Sequence, residues 1–159
     1  MGPADIIRIV PHRHPMLLID RVETLCPGEL VVATKAVTVS EPCYAGIADG
    51  ATAADFAYPQ SLLVESWATA AEMLMLCRRP APHVDGGHLM VAGAIDDVAF
   101  HIPVHPGDVL RHEVRVVKLV ADTAILAGDT RCDGELVAAF GHFVAALRPT
   151  ESLRAAPTG

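Results

Sequence analysis

The chain has 159 residues, 52% of them hydrophobic and only 4% aromatic, and carries a formal charge of −7 at pH 7. That length makes one domain with a core large enough to need no disulfide or metal staple. The acidic balance, with no basic run and no aromatics interleaved with basic residues, excludes a nucleic-acid groove and an anionic membrane surface as partners.

In chain order, "ADIIRIV" reads as a short helix or turn that ends at Pro11, "PMLLIDRVETL" follows, and Pro27-Gly28 marks a turn. Glu29 to Val39 is rich in β-branched residues and reads as a strand. The next stretch, "SEPCYAGIADGATAADFA", is mostly small residues and reads as a loop. Pro59 then opens a helix over "QSLLVESWATAAEMLMLCRR", which stops before Pro80. Arg78 and Arg79 fall in its last turn, where they complement the helix dipole. Apolar residues surround most of this helix, as in a helix wrapped by other structure. Its exception is a narrow polar stripe of Glu65, Thr69 and Glu72, spaced i, i+4, i+7.

Four strand-like runs complete the chain: His88–Phe100, Val109–Leu119, Thr123–Cys132 and Leu136–Leu147. Asp133-Gly134 between the last two is a hairpin signal. The order predicts an α+β class: an antiparallel sheet, its last four strands in a meander, curled around one central helix. The domain spans residues 1–148, and the polar segment 149–159 is a flexible tail. A single curved sheet leaves edge strands, which dimerisation would pair.

Cys26, Cys43, Cys77 and Cys132 are widely spaced and form no Cys-x-x-Cys, which fits reduced thiols in a cytoplasmic protein. The longest apolar stretches are too short or too polar to span a bilayer. Asp5 and Arg8 interrupt the N-terminal apolar stretch, so it does not read as a signal peptide.

Two readings of Glu65 stand side by side. Buried among Leu62, Leu63 and Val64, it would have a raised pKa suited to general acid or base work; on a solvated stripe with Thr69 and Glu72 it would do nothing. His12-x-His14 lies between prolines without an acidic or cysteine ligand at tight spacing, so a structural or surface role is preferred to a metal site. The remaining histidines form no recognisable nucleophile–base arrangement.

Three stretches, "PHRHPMLLIDRV" (Pro11–Val22), "SEP" before the loop and "AGAIDDVAFHIPVHPGDVL" (Ala92–Leu110), occur in one order with the helix "YPQSLLVESWA". Together they resemble the bacterial 3-hydroxyacyl-[acyl carrier protein] dehydratases of the FabZ type, over residues 5–148. The resemblance implies a hotdog fold and a dimer whose sheets join edge to edge, with active sites at the dimer interface. There a loop histidine of one protomer removes the proton α to the thioester. A carboxylate on the partner's central helix helps the 3-hydroxyl leave, and a backbone N–H polarises the thioester carbonyl.

Glu65 matches the helix carboxylate. The family's loop runs acidic-Pro-aromatic-aromatic and then Gly-His-Phe-Pro; here Glu41-Pro42-Cys43-Tyr44-Ala45-Gly46-Ile47-Ala48-Asp49 stands there, with Ile47 at the histidine's position. No histidine occurs between His14 and His83. The resemblance thus implies a FabZ-like dehydratase subunit of a fatty-acid or polyketide pathway. A second hotdog subunit would supply the missing histidine in a heterodimer; as a homodimer the chain would have little activity. The alternatives are a hotdog acyl-thioesterase using Glu65 and a non-catalytic subunit that binds acyl carrier protein or acts as a scaffold. Tyr44, Gly46, Asp49, Asp55 and Thr69 are candidate site-lining residues, with His88 the first candidate for a substitute base. The expected partner is acyl carrier protein, docked by Arg78, Arg79, Arg111 and Lys118. No metal and no organic cofactor is implied beyond the phosphopantetheine arm that carries the substrate.

Overall fold

A computed structural model of the chain describes residues 1–78 and 87–153. Helix α1 (Pro3–Ile9) leads into strands β1 (Arg21–Cys26) and β2 (Leu30–Ala36), the long helix α2 (Gln60–Leu76), and strands β3 (His88–Phe100), β4 (Val109–Val120), β5 (Thr123–Cys132) and β6 (Glu135–Pro149). The strands form one antiparallel sheet in the order β1-β2-β4-β5-β6-β3. It wraps α2, whose Trp67, Ala70, Ala71 and Met73 are wholly buried against inward residues such as Val31, Val114, Leu126 and Phe140. The α+β class and the wrapped central helix are therefore as expected.

The meander is only partly present. β4, β5 and β6 follow one another through short turns, with Asp133 (φ 50°) and Gly134 (φ 87°) in the left-handed region that a tight hairpin needs. β3, however, pairs with β6 rather than β4 and forms the far edge of the sheet. The connection 101–108 contains Pro103 and Pro106 and is no hairpin turn. Instead it is tied across the molecule: Tyr58 N–H donates to the Val104 carbonyl (2.7 Å), Val37 N–H to that of Asp108 (2.9 Å), and Gly107 N–H to that of Val37 (2.9 Å). Those bonds deliver β4 to β2. The segment after Pro15, to which the sequence assigns no element, supplies β1 as β2's other neighbour.

Helix α2 starts where Pro59 directs it but ends at Leu76, with Cys77 at its C-terminal cap. Arg78 thus lies past the helix rather than in its last turn, a correction to the sequence reading, and Arg79 lies outside the described residues. The cap is local: Cys77 N–H donates to the Met73 carbonyl at 3.1 Å and the Cys77 thiol to that of Leu74 at 3.3 Å, which satisfies two end carbonyls without a cation. At the other end of the chain, Thr150 N–H and its hydroxyl both donate to the Gly87 carbonyl at 2.9 Å, and residues Thr150–Leu153 form a 3₁₀ turn. No helix among the described residues is long and apolar enough to cross a membrane.

Candidate active site

The polar stripe of α2 faces water only at its Glu65 end. Glu72 is 2% exposed and Thr69 is buried, and the chain segment that follows α1 lies over them. The turn between Pro11 and Pro15 is held by Arg13, whose guanidinium folds back to donate to the carbonyls of Ile7 (3.0 Å), Val10 (3.0 Å) and His12 (2.7 Å). This clamp turns the His12 side chain toward α2. His12 Nδ1 meets Glu72 Oε2 at 2.7 Å, and Nε2 meets Glu65 Oε1 at 3.4 Å. One imidazole therefore bridges two carboxylates that stand two helical turns apart.

Burial is graded along the three side chains. Glu72 is enclosed, His12 is 28% exposed and Glu65 is 39% exposed. Hydrogen bonding to Glu65 and Glu72 outweighs the cost of burying the cation and pushes the His12 pKa up to about 10. The same bond from His12 holds the Glu65 carboxyl below its usual range, against the opposing effect of burial. On the buried reading of Glu65 its pKa would be raised; the imidazolium beside it reverses the sign. At neutral pH the site holds an ionised, half-exposed carboxylate backed by a cation.

The loop is anchored at both ends. Lys35, buried on β2, donates to Glu41 Oε1 at 3.0 Å and lies 5.4 Å from the centre of the Tyr58 ring, and Glu41 Oε1 also accepts from Thr38 N–H at 3.2 Å. The ring of Tyr44 packs against Phe56 at 5.9 Å, which closes the loop on itself. Gly46 to Ala51, together with Asp55, line a shallow hollow of about 430 Å³. Ile47 is half-buried and packs against the core, while Gly46 and Asp49 are exposed.

Comparison with known proteins decides the family. Residues 10–141 match the model of the FabA-like domain family. The 3-hydroxyacyl-[acyl-carrier-protein] dehydratase FabZ of Zymomonas mobilis is 43% identical over 121 residues, which cover 74% of this chain and 73% of that protein. The FabZ of Shewanella loihica is 34% identical over 137 residues, 86% of each. The chain belongs to the FabZ-type 3-hydroxyacyl-[acyl-carrier-protein] dehydratase family.

Among solved structures, the dehydratase heterocomplex ApeI:P from Xenorhabdus doucetiae matches with a TM-score of 0.74 at 18% identity, over 93% of each chain. The PaaI protein of Escherichia coli matches at 0.57 and 19% identity, over 79% of this chain and 80% of that one. Both likenesses bear on the fold, and they agree with the hotdog arrangement expected from the FabZ resemblance.

The sequence-selected residues do not converge on one spot. The structure brings Glu65 together with His12 and Glu72, neither of which the sequence reading chose for chemistry. A signal for them lay in the sequence: a second carboxylate seven residues after Glu65, on a helix apolar elsewhere, needs a partner if buried. Thr69 spends its hydroxyl on the Glu65 carbonyl at 2.9 Å. Asp55 accepts from Thr52 N–H (2.7 Å) and Thr52 Oγ1 (2.8 Å), which lowers its pKa and makes it a cap for its own turn.

Of the other sequence-selected residues, His88 opens β3, with its Nδ1 buried and unpartnered among the described residues. Arg111 lies 3.4 Å from both Glu23 and Glu113, Lys118 is exposed on β4, and Arg78 stands at the rim of a cavity of about 320 Å³ lined by Leu74, Met75 and Leu119. Elsewhere, His112 is fully buried against Thr130 Oγ1 at 2.8 Å, and burial pushes its pKa down to about 3, so it stays neutral.

Proposed function

We propose that this chain is the carboxylate-bearing subunit of a dehydratase acting on 3-hydroxyacyl thioesters carried by acyl carrier protein, and that a second hotdog subunit supplies the base. The observation that carries this reading is the state of Glu65: ionised, half-exposed and directed by His12, in a chain whose loop offers Ile47 at the family's histidine position. His12 is no substitute for that base. With its pKa near 10 it already holds a proton at pH 7 and cannot take another.

The edge strand β3 supports an assembly. Its outer side, from Val91 to Asp97, is exposed and includes the apolar Val91 and Ile95, each 38% exposed. A long edge with unpaired backbone groups is a template for another strand. Pairing there would bring a second subunit's loop toward α2. That a dehydratase with this fold can be a heterocomplex is the case for ApeI:P.

In the reaction, the partner's base takes the α-proton, and the electron pair of that C–H bond forms the new double bond as the C–O bond breaks. Ionised Glu65 accepts the hydrogen bond of the 3-hydroxyl and relays to the departing oxygen the proton held by His12 Nε2, so that it leaves as water. General acid–base help of this kind is worth roughly 10²–10⁴-fold.

The test is mass spectrometry of a 3-hydroxyacyl-carrier-protein incubated with the chain. The chain alone should leave the substrate intact, and adding a hotdog subunit that has the loop histidine should produce loss of water. Glu65→Gln in this chain should then lower the rate of the mixture by about 10²-fold or more. Dehydration by the chain alone, or a Glu65→Gln mixture as fast as wild type, refutes the reading; hydrolysis of the thioester would instead favour an acyl-thioesterase.

A further inference from the structure

We propose that Glu72 and His12 form a positioning dyad behind Glu65, in which the buried carboxylate fixes the imidazole and the imidazole keeps a proton next to Glu65 Oε1. The catalytic role of the dyad rests on the subunit reading above; its charge-holding role does not. Glu72 does not reach the space in front of Glu65: it is 2% exposed, and its Oε2 is taken by His12 Nδ1 at 2.7 Å. A buried carboxylate without a partner would be expelled or neutralised, so Glu72 needs the imidazolium as much as the imidazolium needs it. With Nδ1 committed to Glu72, Nε2 is left, and it lies 3.4 Å from Glu65 Oε1. An imidazolium here donates from both ring nitrogens, one to each carboxylate.

Among the described residues, the charged groups that act on the His12 ring both lie on α2. Glu65 and Glu72 face it from α2, while Arg13, on its own segment, addresses the His12 carbonyl at 2.7 Å rather than the ring. During dehydration His12 Nε2 gives its proton, by way of the ionised Glu65 carboxylate, to the departing hydroxyl; His12 briefly becomes neutral and is reprotonated from solvent through Glu65. The α-proton stays with the partner's base, the C–O electron pair leaves on oxygen, and water carries off the transferred proton, so atoms and charge balance.

Two readouts test the dyad. In the intact chain labelled with ¹⁵N-histidine, NMR titration over about pH 5 to 11 should place the His12 midpoint near 10, and Glu72→Gln should lower it by about one to two pH units. In the two-subunit mixture, Glu72→Gln should move the alkaline limb of the kcat profile down by a similar amount, with KM changed less than about twofold. His12→Gln keeps donors for both carboxylates but cannot ionise. It should fold, abolish that limb and lower kcat by roughly 10²-fold.

A His12 midpoint unmoved by Glu72→Gln overturns the dyad, as does a uniform loss of rate at every pH or a His12→Gln mixture with wild-type rates. If the wild-type mixture is inactive yet His12 titrates near 10 and falls in Glu72→Gln, the subunit reading fails and the charge-holding pair stands.

Discussion

An imidazole held between two carboxylates links protonation to folding, and the sign follows from the direction of each shift. His12 is raised from an ordinary 6.5 to about 10, so its contribution to stability is complete below about pH 6.5, declines as pH rises and is gone above about 10. Glu65 is shifted the other way; its contribution is present above about 4.5 and is lost as pH falls through its lowered value. Wild-type protein should therefore be most stable between those limits. Thermal or urea melts from pH 7 to 10 should show a loss in wild type that His12→Gln lacks, a difference of about 2–3 kcal/mol. Equal slopes for the two proteins would mean that His12 is not charged in the native state. Other groups that titrate near pH 10 are common to both and cancel in the comparison.

Helix α2 owes its position to Trp67. The indole is fully buried, stacks on Phe140 at 4.4 Å, meets Phe143 edge-on at 5.6 Å, and donates from Nε1 to the Glu113 carbonyl at 3.1 Å. That carbonyl belongs to a crowded crossing of β4 and β5: a Cβ on Gly128 would stand 1.9 Å from the Glu113 oxygen, where no side chain fits. Trp67→Phe removes one hydrogen bond and some volume and should cost about 1–3 kcal/mol in denaturant melts. Gly128→Ala must push β4 and β5 apart and should cost more. If Gly128→Ala melts like wild type, the β4–β5 approach is looser than this geometry requires. Since both substitutions act on one carbonyl, their effects should not add. The same packing sets the site's geometry, because α2 places Glu65 and Glu72 two turns apart against a single imidazole.

For the whole molecule, the proposed assembly assigns β3 as the edge that meets a second subunit. β1 and β3 are the two edges, and β3 is the longer, with Val91 and Ile95 exposed. A lysine there sets a charge where a paired strand would exclude water. Val91→Lys or Ile95→Lys should shift the sedimentation profile toward monomer, with or without the second subunit. Val117→Lys, on the sheet's outer surface in an interior strand, should not. The reverse pattern would assign assembly to the outer face of the sheet.

Much of the fold was legible because its signals are local. Propensity and turn chemistry marked α2, β2 and the last three strands, and the apolar circumference of α2 announced a wrapped helix. The family motifs brought Glu65 forward and marked Ile47 as the residue in the histidine's place. Strand order was not legible, since β3's choice of β6 over β4 depends on bonds between the connection 101–108 and residues far away in the chain. Nor was the partner of Glu65: His12 lies 53 positions before it, on a segment without regular structure, and only the packing of that segment over α2 joins them. The sequence by itself determined that Glu65 and Glu72 share one stripe of the helix and that the loop carries no histidine. The tertiary structure alone decided the direction in which the Glu65 carboxyl is shifted, because a pKa depends on what stands a few ångströms away in space.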